Sequence, residues 1–141
     1  WGYEAENPSN SQFLDYMQWQ GTNDISAYLT VPDTIQFLEK HNWKEKAARC
    51  KELNLWAKNE ISSQLNIKAL GIDEFLVQMT TFSFPFYDTI EQQIDFYKKY
   101  KIQVPFIKWN KQTFFRISSQ VYNSKEDFIY LIDSLREFQN I

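Results

Sequence analysis

Thr113-Phe-Phe-Arg-Ile-Ser-Ser-Gln-Val-Tyr-Asn-Ser-Lys-Glu-Asp-Phe128 decides how this chain folds. It reads as a strand, a short turn and a capped helix. Successive strand side chains point to opposite faces. Thr113, Phe115 and Ile117 therefore share one face, and Phe114, Arg116 and Ser118 share the other. A guanidinium in so apolar a strand needs water or an anion, because burying it unpaired is very costly. Arg116 thus pairs with a structural carboxylate, lies on a solvated face, or grips a ligand whose acid group suits its fork of donors.

Working outward from that strand, Gln103 to Trp109 is a second strand-forming run, and Asn110-Lys111 is a hairpin-sized connection between the two. Leu76 to Phe84 is rich in strand formers and stops at Pro85, which predicts a third strand. Ser124 caps the last helix, with Phe128, Leu131, Ile132, Leu135 and Phe138 facing inward. Asp88 opens another helix, whose expected buried line is Ile90, Ile94 and Tyr97. Asn42-Trp-Lys-Glu45 has the form of a capping box. The stripe Trp43, Ala47, Cys50, Ala57 and Ile61 then predicts a long amphipathic helix over 43–65. Asp24 is a good N-cap for the pattern Tyr28, Leu29, Val31, Ile35 and Leu38, which Pro32 divides into one turn and a main helix. Phe13 to Trp19 is expected to be extended. The sum is an α+β fold, a small three-stranded and mainly antiparallel sheet with helices packed on it.

Composition sets the bounds. The 141 residues, 43% hydrophobic and 23% charged, are enough for one domain with an ordinary core. Only 3 Gly and 4 Pro favour long helices over tight hairpins. A net charge of −3, with no basic groove interleaved with aromatics, argues against a nucleic-acid partner. No apolar run approaches the ~18 residues of a membrane span. A single cysteine, Cys50, excludes an internal disulfide and a multi-cysteine metal site. No metal-ligand spacing is present, and no signal peptide is visible, so an intracellular, cytoplasmic protein is expected. The start is not Met, which suggests a piece of something longer. Residues 1–23 read as an arm or linker from a missing large domain, and 24–141 as a C-terminal small domain.

Candidates for chemistry are few. Cys50 lies on the buried stripe of the long helix and reads as a small core hydrophobe. His41 sits at a helix end, where it satisfies terminal carbonyls. Lys108 has apolar neighbours, as a Schiff-base lysine would, but strand alternation points it to solvent. Gln20-Gly-Thr-Asn-Asp24 offers a glycine, a hydroxyl and a following helix start. These are the parts of a phosphate contact, or simply a turn. No complete active site is present.

Two stretches read together carry a resemblance. Trp19-Gln-Gly-Thr-Asn-Asp-Ile-Ser-Ala-Tyr-Leu-Thr-Val-Pro-Asp-Thr-Ile-Gln-Phe37 and Phe115-Arg-Ile-Ser-Ser-Gln-Val-Tyr-Asn123 with Glu126-Asp127 resemble the class V aminotransferase superfamily, above all its isopenicillin N epimerase-like branch. The likeness spans essentially the whole chain. It implies the C-terminal domain of a fold-type I pyridoxal-phosphate (PLP) enzyme, homodimeric, acting at the α-carbon of an amino acid or peptide. By that resemblance Gly21 and Thr22 reach the phosphate of the partner subunit's cofactor, and Arg116 grips the substrate α-carboxylate. The family's Schiff-base lysine matches no position here, so this chain alone is expected to hold no catalytic residue, bind PLP poorly and catalyse nothing. Asn23 stands where many relatives carry a basic residue. The alternatives are a cysteine desulfurase or selenocysteine lyase, which needs a mobile loop cysteine, and a non-catalytic interaction module.

Overall fold

A computed structural model describes residues 10, 11, 13, 14, 17, 21, 22, 24–86 and 89–139. The chain divides into two compact units, Trp1–His41 and Asn42–Ile141. In the first, α1 (Ser26–Leu29) and α2 (Val31–Lys40) are separated at Thr30, with Pro32 in the first turn of α2. Proline fits there because the first helical N–H groups have no intrahelical acceptor to lose. Phe13, Leu14 and Met17 have helical backbone, not the extended backbone their apolar run suggested. Asp24 is not the N-cap of α1: that position is Ile25, without a side-chain cap, and the Asp24 side-chain oxygen accepts the Ser26 N–H at 2.9 Å from one residue earlier. That bond holds the Asp24 carboxyl below the usual carboxylate range.

The second unit is an α+β fold. Its elements are α3 (Trp43–Leu65), β1 (Met79–Ser83), α4 (Thr89–Tyr100), β2 (Phe106–Trp109), β3 (Gln112–Ser118) and α5 (Lys125–Gln139). The sheet is fully antiparallel in the order β1-β3-β2, so the strand carrying Arg116 is central. Asn110 and Lys111 close the hairpin with φ of 46° and 61°. Two left-handed residues in a two-residue loop match the right-handed twist of the strands they join.

α3 and α5 cover one sheet face with a core in which Ala57, Ile61, Phe82, Phe115 and Leu135 have no solvent exposure. Phe82 and Phe115 stack across β1 and β3 with ring centroids 5.0 Å apart. α5 presents Phe128, Leu131, Ile132 and Leu135 to this core, as its spacing predicts, and Phe138 packs at the margin against Phe96.

Four expectations need correction. β1 begins at Met79 rather than Leu76, because Phe75 and Leu76 turn their N–H groups back to Ile72 and Asp73. β2 begins at Phe106 rather than Gln103, because Pro105 has no N–H for the ladder. Asn42 does not cap α3 through its side chain. It adopts φ 48°, and its Nδ2 donates to Glu45 Oε2 at 2.6 Å. On α4 the buried side chains are Gln92, Phe96 and Tyr100, while Ile90, Ile94 and Tyr97 are exposed. The other proposed cap, Asp88, lies outside the described residues.

Candidate functional site

β3 delivers Arg116 to the sheet face opposite the one that packs on α3 and α5. Phe115 and Ile117, its neighbours in sequence, are buried beneath α3 and α5, so alternation turns Arg116 and Ser118 to solvent. Across the ladder Arg116 stands opposite Thr81, Ser118 opposite Met79 and Phe114 opposite both Ser83 and Ile107. Residues paired across antiparallel strands share a face. The guanidinium therefore rises from a sheet surface made of Met79, Thr81, Ser83, Phe114 and Ser118. Among the described residues no carboxylate lies within ion-pair distance of it. Arg136 behaves differently: Nη2 donates to the Gln64 backbone and side-chain oxygens at 3.0 and 2.9 Å, and Nη1 pairs with Asp133 at 3.4 Å.

The position of Arg116 along its strand is fixed at both sides. Its N–H donates to the Pro105 carbonyl at 3.3 Å, which holds β2 in register. Beyond Ser118 the chain turns at once. The Asn123 N–H donates to the Gln120 carbonyl at 2.9 Å, and the Gln120 N–H to Asn123 Oδ1 at 3.0 Å. Asp127 reaches back to accept the Ser124 N–H at 2.9 Å, the return half of a capping box. Backbone and Ser124 hydrogen bonds hold the Glu126 carboxyl below its usual range. Strand, turn and helix thus form one rigid hand-off.

Gly21 and Thr22 belong to the first unit, and Arg116 to the second. Both Gly21 and Thr22 are exposed, and Gly21 has φ 76°, a left-handed conformation that glycine takes without strain. A Cβ added there would meet nothing within 4 Å. The glycine is therefore needed for its backbone angle and leaves open room above it. Asn23 lies outside the described residues.

The remaining candidates take ordinary roles. Cys50 is 3% exposed inside α3, with its thiol toward Gln120 Oε1 at 3.7 Å, so it has none of the loop mobility a sulfur-transferring cysteine requires. The His41 ring packs on Phe37 with centroids 4.3 Å apart, and its backbone N–H closes α2. Lys108 is exposed, as alternation indicated. Among the described residues no group of His, Cys, Asp and Glu could hold a metal ion, and no helix is long and apolar enough to cross a membrane. Thr81, directly opposite Arg116, was not recognisable as a site residue before pairing was known. Nothing in the sequence of β1 shows its register against β3.

No family model matches the chain. It is 24% identical over 152 aligned residues, 97% of its own length, to an isopenicillin N epimerase of Amycolatopsis lactamdurans. The chain spans 37% of that enzyme's length, and at this level the similarity is a distant one to part of an epimerase.

Proposed function

We propose that this chain is the substrate-carboxylate domain of a PLP-dependent enzyme of the class V aminotransferase kind. It would act, as an isopenicillin N epimerase does by name, on an amino acid or peptide at its α-carbon. One observation carries the reading: Arg116 stands exposed on the sheet face away from Phe115 and Ile117, with no carboxylate partner among the described residues. Its fork can take both oxygens of a carboxylate and so fix the orientation of the bond to be broken. Similarity along almost the whole chain to part of an epimerase supports the assignment.

In this reading Gly21 and Thr22 serve the phosphate of a cofactor held mainly by a partner subunit of a cytoplasmic homodimer. The exposed hydroxyl and the left-handed glycine fit an anion that arrives from outside the chain. When bound, PLP supplies the electron sink for chemistry at the α-carbon. Arg116 supplies orientation and charge for the substrate, and the lysine that anchors the cofactor belongs to a large domain outside these residues.

The test uses the longer enzyme that this reading implies. Arg116→Lys should lower kcat/KM by roughly 10- to 100-fold, since a charged hydrogen bond contributes about 1.5–3 kcal/mol, while the visible absorbance of bound cofactor stays unchanged. Unaltered turnover would remove Arg116 from the site. Thr22→Ala should release cofactor faster on dialysis of the dimer, and equal retention would count against the phosphate contact.

A further inference from the structure

A hollow of about 440 Å³ lies within the second unit, between the first turns of α3 and the Gln120–Lys125 turn. Three cations line it: Lys46 and Arg49, one turn apart on α3, and Lys125 at the start of α5. Among the described residues no Asp or Glu lines it, and Lys46 and Arg49 make no ion pair. Glu126 feels the charge of Lys125, and two other neighbouring acids are engaged elsewhere. Glu45 accepts Asn42 Nδ2 at 2.6 Å, and Asp127 accepts the Ser124 N–H at 2.9 Å. Lys125 is steadied over the Trp56 ring, with Nζ 4.9 Å from the centroid.

The remaining lining is partly apolar. Cys50, Leu53 and Val121 contribute to it, and Cys50 is 3% exposed. In a chain of net charge −3, three cations gathered on one hollow make it locally positive and favour an anion there. The volume falls within the range of small-molecule pockets, roughly 300–1,000 Å³.

We propose that this hollow binds a small phosphate monoester carrying an apolar or aromatic group. The doubly charged phosphate sits among Lys46, Arg49 and Lys125, and the apolar group rests on Leu53 and Val121. Guanidinium suits phosphate because it donates two parallel bonds, while the lysines add point charge. This site is built from other residues than Arg116 and Thr22, so it stands or falls apart from the function proposed above.

The experiment is a titration of the 141-residue chain with phenyl phosphate at low salt, followed by amide NMR. Expected are saturable shifts at Cys50, Leu53 and Gln120 to Lys125, with inorganic phosphate binding more weakly. Arg49→Ala should weaken phenyl phosphate by at least about tenfold, the equivalent of one charged contact. Lys68→Ala, which removes a cation from a different surface, should leave affinity within about twofold. Circular dichroism establishes that each variant is folded. Three results would overturn the proposal: shifts spread over all the surface lysines, equal binding of inorganic and phenyl phosphate, or an Arg49→Ala chain that binds as wild type.

Discussion

Asn54 has no solvent exposure, yet it sits in the middle of the apolar stripe of α3. Its Nδ2 donates to Thr80 Oγ1 at 3.0 Å, joining the long helix to β1 in the interior. Reading the helix by hydrophobicity alone steps from Cys50 to Ala57 and passes over this residue, although its spacing of four and three residues fits the buried face. A polar residue can be buried when a partner waits on another element, and that partner is invisible until strand register is known. Thr80→Val leaves the Asn54 amide without its acceptor and should cost ~1–3 kcal/mol in urea unfolding. Adding Asn54→Leu should recover part of that loss, since replacing both partners by apolar groups removes the desolvation penalty. If Thr80→Val unfolds at the wild-type midpoint, the bond contributes nothing to stability. Arg116 is the opposite case: alternation in β3 was enough to assign it to the face away from Phe115 and Ile117, and the structure agrees. Its use as a clamp could not be read the same way, because a free guanidinium and a solvated one look alike in sequence.

At the scale of the element, α4 carries the most informative error. Two apolar lines run along it, Ile90-Ile94-Tyr97 and Gln92-Phe96-Tyr100, and both have helical spacing. The first looks better because it contains no glutamine. The sheet chooses the second. Phe96 packs on Phe106 with ring centroids 5.5 Å apart, edge-on to Phe138 at 5.3 Å, and close to Tyr100 at 4.9 Å. Gln93 adds a directed bond, its Oε1 accepting the Phe106 N–H at 2.7 Å. Aromatic bulk and one hydrogen bond to an edge strand outweigh a cleaner hydrophobic line. Phe96→Ala should therefore destabilise by about 3–5 kcal/mol, while Ile94→Ala should fall within ~0.5 kcal/mol of wild type. The reverse order in a denaturant series would restore the face the sequence suggested. By contrast α3 and β3 were legible to the residue at both ends. For α3, Asn42 just before its first residue and Asn66 just after its last both take left-handed conformations, which break the helical path at low steric cost.

For the molecule as a whole, the α+β class and a mainly antiparallel three-stranded sheet followed from alternation, one two-residue loop and one capped helix. The order β1-β3-β2 did not, because it depends on a long connection through α4 that carries no pairing signal of its own. That order leaves the two margins of the sheet differently finished. On the β1 side, Ala69 forms a bridge with Phe82, the Leu70 N–H donates to Thr81 at 2.8 Å and the Ser83 N–H to Lys68 at 3.1 Å, so backbone already occupies the margin. On the β2 side, among the described residues the Gln93 side chain covers the Phe106 backbone donor, and the exposed Lys108 stands in the middle of the strand. A sheet that ends in unpaired backbone can recruit another chain. Any second strand arriving at β2 must strip water from the Lys108 ammonium and displace the Gln93 amide. Colloidal behaviour of this chain therefore hangs on the Gln93 amide and on Lys108, an exposed side chain that contributes little to folding. Lys108→Val should leave the urea midpoint within about 0.5 kcal/mol and yet raise light scattering steeply with concentration, whereas scattering equal to wild type would mean that the margin is guarded by something else.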